Sequence, residues 1–223
     1  MFSFALGNIP VRVHLQFLFL SAFIMMNAGE PRLILSGVAI IFVSVLVHEL
    51  GHALMGKVFG LQPQIDLHGM GGTTSWAHKN VSSGAKILIS LAGPSTGIVI
   101  GSILKFGPFF AGHQTLLARG ILAQIIFVNL GWGLLNLLPM LPLDGGNVMH
   151  QLIAMITGTD GERPARVISI VVGVLAAIAG YMYLGLFTAI LVAMLVAQNV
   201  RALRPAEAPP GPRAPPPPQQ ARW

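Results

Sequence analysis

There is no cysteine anywhere in the 223-residue chain, so no disulfide can staple it and no thiolate can bind a metal. Charge is scarce as well. Asp, Glu, Lys and Arg make up 9% of the residues, against about a quarter in ordinary soluble domains. No polar stretch is long enough to build a large soluble domain. What fills the chain is apolar: 54% of the residues are hydrophobic, so the solvent for most of the fold is lipid. The net charge of +6 is not a nucleic-acid signature, because no basic run interleaved with aromatics accompanies it. Lys and Arg gathered in cytoplasmic loops account for it.

Hydropathy predicts an all-α polytopic membrane protein of about six transmembrane helices, near residues 14–26, 33–59, 85–106, 116–138, 166–183 and 184–200. A polar, Gly-rich stretch separates the second span from the third, at 61–83. A shorter apolar run at 148–156 reads as a partial helix. The first span, with Arg12 before it and small residues near Ala28, also has the look of a cleaved signal peptide. An uncleaved span is the preferred reading, because the charge bias works with it in place. With the N-terminus in the cytoplasm, the inner segments hold Arg12, Lys57, Lys79, Lys86, Arg163, Arg166, Arg201 and Arg204. The outer loops hold Arg32, Lys105 and Arg119. Both termini are therefore expected in the cytoplasm, with Tyr181 and Tyr183 at the outer interface. The chain divides into a membrane domain at 1–204 and a Pro-rich tail at 205–223, expected to be disordered, with partner docking as a lesser reading.

One segment breaks the apolar pattern. SVLVHELGHALMG, at 44–56, places two histidines and a glutamate inside the second span. His48 and His52 are four apart, so a helix puts both imidazoles on one face, a turn apart. That spacing suits two nitrogen ligands to one Zn²⁺. Glu49 follows the first histidine, where it can serve as general base for a water at the metal's open side. A lone histidine in a span is commonly a packing residue held by a hydrogen bond. Three ionisable groups in H-E-x-x-H order are different, since each costs a few kcal/mol in hydrocarbon unless paired or metal-bound.

A catalytic zinc has three protein ligands and an open fourth position. Asp66, Asp160 and Glu162 lie in polar stretches, where solvation is the default. Asp144 differs. It sits in NLLPMLPLDGG (136–146), between Pro142 and Gly145–Gly146, where prolines and glycines break the helix at the cytoplasmic end of the fourth span. Broken backbone at membrane depth survives only where it is buried in protein or lines a wet cavity. His48 and His52 lie at a similar depth, in the cytoplasmic half of their span, so Asp144 is the favoured third ligand.

These motifs make the chain resemble the site-2 protease family of intramembrane metalloproteases. HELGH at 48–52 matches the family's H-E-x-x-H, and 136–146 matches N-x-x-P-x-x-x-x-D-G. MGG at 70–72 resembles the Gly-Gly turn of its membrane-associated strands, and SLAGPSTG at 90–97 the A-G-P signature of its third span. The resemblance covers most of 14–155, weakens over the last two spans and is absent from the tail. It implies that His48, His52 and Asp144 hold one Zn²⁺ per chain, that Glu49 is general base and acid, and that Asn136 binds the substrate carbonyl or oxyanion. Asn136 could instead make a helix-capping or interhelical hydrogen bond. The resemblance also implies a small membrane-associated β element at 63–76, between the second and third spans, whose edge would take an unwound peptide. Two features depart from the pattern. There is no room for the PDZ or CBS domain of many members, so the chain resembles the compact ones. Met70 stands where members often have a bulky aromatic, which bears on substrate contacts. His14 and His68 are candidate auxiliary ligands or gates, with interfacial hydrogen bonding as the default. His78, His113 and His150 read as ordinary loop or interface residues.

The expected function is then zinc-dependent endoproteolysis of a transmembrane or membrane-proximal segment, that is, regulated intramembrane proteolysis. The expected partners are a transmembrane protein substrate and the bilayer, with a regulatory membrane partner as a further candidate and no nucleic acid. By default the chain sits in a bacterial or archaeal inner membrane. The first rival is a non-proteolytic membrane metal carrier or scaffold, which would use the histidine pair but needs neither Glu49 nor Asn136. The second is a metalloprotease that cuts soluble peptides at the membrane surface, against which the depth of the motif argues.

Overall fold

The computed structural model describes residues 1–26, 29–77, 80–110 and 115–204. His78, Lys79, His113 and the Pro-rich tail lie outside the described residues, as does Ala28. Eleven main elements run in the order β1 (Phe2–Leu6), β2 (Ile9–Val13), α1 (Leu15–Met25), α2 (Pro31–Val58), β3 (Pro63–His68), β4 (Gly71–Trp76), α3 (Ser83–Phe106), α4 (Leu116–Asn136), α5 (Asp144–Thr157), α6 (Glu162–Leu184) and α7 (Leu186–Leu203).

Five of the helices, α2, α3, α4, α6 and α7, are long and apolar enough to cross a membrane. α1 covers the expected first span but has only 11 residues, about half of the roughly 20 that a bilayer core demands. The run expected as a partial helix is α5, of 14 residues. Local chemistry sets several of these boundaries. Pro31 opens α2 at its first position, where a missing N–H costs nothing. Ser82 and Thr115 cap α3 and α4 by accepting from the Ala85 and Ala118 N–H groups, at 3.3 and 3.2 Å. Gly158 ends α5 in the left-handed conformation that glycine adopts without strain. Gly185 alone separates α6 from α7, at φ 93°.

The sheet has four strands in the order β1-β2-β3-β4, with β2 and β3 parallel and the outer pairs antiparallel. The strands between α2 and α3 fall where the β element was expected. The β1–β2 hairpin is an addition to that expectation. Its signal was present but short: Ile9, Val11 and Val13 alternate with Pro10 and Arg12, after a two-residue Gly7–Asn8 turn with Gly7 at φ 60°. Ile9, Val11, Val13, Ile65 and Leu67 form one buried face, packed with Phe17 of α1 and Val45 and Ala53 of α2. The sheet thereby lies beside the last turns of α2.

Side-chain polarity is inverted relative to a soluble fold. Phe19, Leu35, Val43, Leu54, Val99, Phe127 and Leu175 are exposed, while Ser44, His48, Glu49, His52, Asn129, Ser169 and Asn199 are buried. Lipid solvates the first group without cost, and the second must be satisfied inside the protein. Asn129 illustrates the rule: its amide donates across to Ser44 on α2 at 2.9 Å.

Candidate metal centre

His48 and His52 project from one face of α2, with their Nε2 atoms 3.2 Å apart. His48 is ten residues before the helix ends at Val58, or about 15 Å along the axis. Asp144, the first residue of α5, meets both rings. Its Oδ2 lies 3.1 Å from His48 Nε2, and its Oδ1 3.3 Å from His52 Nε2. The two histidines are buried and the Asp144 side chain nearly so, at 15% exposure. Among the described residues these three form the one group of His, Asp and Glu whose ligand atoms lie within 4.8 Å of one another.

The surroundings orient the donors. His52 Nδ1 lies 2.7 Å from the Ile89 carbonyl oxygen on α3. A carbonyl only accepts, so Nδ1 carries the proton and Nε2 presents a lone pair toward His48 and Asp144. The His52 lone pair and the Asp144 carboxylate, 3.3 Å apart, repel unless a proton or a metal cation lies between them, and this donor set is one that a divalent ion satisfies. Gly93 of α3 is what lets the His52 ring lie there: a Cβ at that position would fall on the imidazole. On the other side, a Cβ at Gly51 would come within 2.7 Å of the Ala92 carbonyl oxygen. α2 and α3 therefore touch through backbone at the level of the centre.

Glu49 turns to a different neighbour. Its carboxylate is buried against β4, where the Thr74 hydroxyl lies 2.7 Å from Oε2. The same hydroxyl is 3.1 Å from the Glu49 carbonyl oxygen. Gly72 makes room, since a Cβ there would lie 2.5 Å from Glu49 Oε1. Of the Gly-Gly pair in the strand turn, Gly72 thus serves the glutamate directly, while Gly71 faces Trp132 of α4. Asp144 is positioned by close approach as well. A Cβ on Gly145 or Gly146 would overlap the Leu137 or Met140 backbone, so the start of α5 folds tightly onto the turn that follows α4.

The other candidate residues sit elsewhere. Asn136 ends α4 as a buried residue, and its amide donates to the Trp132 carbonyl oxygen one turn earlier at 2.9 Å. His14 is 4.0 Å from Asp66, which also faces Arg12 at 3.8 Å. His68 bonds to Thr73 and accepts from the Met70 N–H within the strand turn. Neither histidine joins the group of three. His150 lies 2.6 Å from the Asp160 carbonyl oxygen, Asp160 accepts from the Glu162 N–H, and Glu162 pairs with Arg166. Sequence reasoning singled out neither Thr74 nor the His52–Gly93 contact. Both depend on which strand or helix faces α2, and residue spacing does not carry that information.

Fold and site together define a class: a polytopic helical protein with a buried centre of two histidines and one aspartate, and a buried glutamate beside it. The resemblance to the site-2 protease family is borne out by comparison with known proteins. The model of Peptidase family M50 matches residues 112–180. A Synechocystis sp. protein provisionally named a zinc metalloprotease is 32% identical over 148 residues, 64% of this chain and 38% of its own. A zinc metalloprotease of Methanocaldococcus jannaschii is 29% identical over 155 residues, 68% of this chain and 44% of its own. The solved structure of the site-2 protease from M. jannaschii superposes with a TM-score of 0.67 at 21% identity, covering 93% of this chain and 98% of that one. The last likeness establishes a shared fold. The matched region spans less than half the length of the two metalloprotease relatives.

Proposed function

We propose that this chain is a zinc endopeptidase that cuts transmembrane or membrane-proximal segments of other proteins. The observation that carries the proposal is the convergence of His48, His52 and Asp144 within 4.8 Å, beside a buried Glu49 held by Thr74. The names of the relatives support the metal and the reaction, and the lipid-facing exterior supports a substrate in the membrane.

His48 and His52 through Nε2, and Asp144 through its carboxylate, would hold the ion and leave a position open. Bound Zn²⁺ supplies Lewis acidity, which makes water nucleophilic near neutral pH and polarises a peptide carbonyl. The chain's own residues do the rest. The Thr74 hydroxyl bonds Oε2 of Glu49, leaving Oε1 to take the proton from the attacking water and return it to the leaving amine. Ile89 fixes the tautomer of His52. Asn136 would steady the substrate carbonyl after releasing Trp132. A helical substrate hides its peptide bonds and must unwind first. β4 is an edge of the sheet and runs beside Glu49, so an extended peptide added there would lie next to the base.

In this reading both termini face the cytoplasm, residues 1–204 form the catalytic membrane domain, and α1 completes the set of about six membrane-embedded helices. Cleavage would release a fragment in regulated intramembrane proteolysis. A metal carrier would use the three ligands but has no need for a carboxylate held by a threonine. The test is Glu49→Gln in purified protein offered a transmembrane substrate. The variant retains zinc and loses cleavage. Undiminished cleavage overturns the mechanism, and zinc flux across vesicles by the wild type without cleavage favours the carrier.

A further inference from the structure

We propose that Ser169 of α6 and Asn199 of α7 are positioning residues for Asp144, gripping one residue of its loop from both sides. The proposal rests on the reading of Asp144 as a metal ligand and extends it to two helices that contribute no ligand themselves.

The gripped residue is Leu141, three before Asp144. The Leu141 N–H donates to Ser169 Oγ at 2.8 Å, and the Leu141 carbonyl oxygen accepts from Asn199 Nδ2 at 2.6 Å. Both polar groups of one residue's backbone are therefore satisfied by side chains, one from each of the last two spans. Each gripping side chain is anchored to its own helix. Ser169 donates its proton to the Ala165 carbonyl oxygen at 2.7 Å, so its lone pair faces the Leu141 N–H. Asn199 places its second amide hydrogen on the Leu195 carbonyl oxygen at 3.0 Å. Ser169 and Asn199 are 0% and 1% exposed. Water is excluded, and an unpaired peptide group there would be costly.

The grip is passed on to Asp144 by a short, stiff path. The Leu143 N–H donates to the Met140 carbonyl oxygen at 2.8 Å and closes a turn around Leu141 and Pro142. The Asn147 N–H donates to the Leu143 carbonyl oxygen at 3.0 Å and starts α5. Met140, 1% exposed, fills the seam beside Gly173 of α6, where a Cβ would lie 3.1 Å from the Met140 sulfur and 2.5 Å from Val196 of α7. The turn is thus seated in the α6–α7 pair at one end and delivers the carboxylate to α2 at the other. Groups that orient a ligand from behind commonly change metal affinity about 10–100-fold when removed.

The test uses the full chain purified in detergent, with Ser169→Ala and Asn199→Leu made separately and Ser36→Ala as a control. Ser36 bonds Gln124 between α2 and α4 and touches none of the ligands. Zn²⁺ affinity is measured against a competing chromophoric chelator, and backbone hydrogen exchange is followed without metal. The grip predicts a loss of zinc affinity of about tenfold or more in both variants, with faster exchange at Leu143 and Asn147 as well as Leu141. The control keeps wild-type affinity. If one variant fails to fold, the other decides. Wild-type affinity in a folded variant, or faster exchange confined to Leu141, overturns the grip while leaving the metal centre intact. A wild type that binds no zinc overturns the metal reading instead, and the exchange pattern then judges the grip alone.

Discussion

Thr74 Oγ1 on β4 lies 2.7 Å from Oε2 of Glu49 on α2, joining the sheet to the one buried carboxylate of the H-E-x-x-H segment. A hydrogen bond to a charged group is worth about 1.5–3 kcal/mol net, or about tenfold or more in rate if it is made in the transition state. Thr74→Val keeps the shape and deletes the hydroxyl. The expected outcome is a kcat lower by about tenfold with zinc stoichiometry unchanged, read by cleavage kinetics and metal analysis of one preparation. An unaltered kcat would mean that the threonine only packs.

Gly93 offers a sharper test of geometry. Gly93→Ala would place a methyl on the His52 ring, whereas a Cβ at Gly84 in the same helix meets nothing within 4 Å. The first variant should lose zinc and the second keep it, although both make the same chemical change. Metal content by mass spectrometry checks the pair, and equal retention would show that α3 does not hold His52 in place.

Asp144→Ala removes the one proposed ligand that comes from outside α2. Zinc affinity should fall by more than about tenfold, the low end for residues that merely support a ligand, and cleavage should fall with it. Chelator titration measures the first effect. An unchanged affinity would identify a different third ligand.

Stripping the ion with a strong chelator should abolish cleavage, and added Zn²⁺ should restore it. Stability should follow as well. An ion bound to the folded state alone adds about 2.7 kcal/mol at one hundred times its Kd, so the melting temperature should rise with zinc concentration. A melting temperature indifferent to zinc would contradict a site that forms only on folding.

Asn136→Ala separates two roles. If the amide steadies the substrate carbonyl, kcat falls while zinc affinity stays the same. If it only closes the end of α4 through Trp132, thermal stability falls and kcat per folded molecule does not.

Much of this molecule is legible in its sequence, for identifiable reasons. Long apolar runs report helices because lipid leaves the backbone few other ways to satisfy its hydrogen bonds. The His48–His52 pair is legible because a helix has a fixed period. Asp144 stands out because proline and glycine mark broken backbone around an acid. The β1–β2 hairpin was harder to see, being five-residue strands in a chain dominated by hydropathy. The shortness of α1 was hidden because apolar character alone does not set a helix's length.

Local sequence thus determined which residues are the candidates for the chemistry, through helix periodicity and the cost of charge in oil. Tertiary structure decided what each of them faces. His48 and Asp144 are 96 residues apart, yet their side chains lie 3.1 Å from one another. Gly93 is small because an imidazole lies over it, Thr74 reaches Glu49 from a strand, and Ser169 and Asn199 hold Leu141 from helices whose sequence is otherwise unremarked apolar span. The physical reason is common to all four. A contact between distant segments depends on how whole elements pack, and a residue's near neighbours in the chain carry no record of the partner that packing will bring to it.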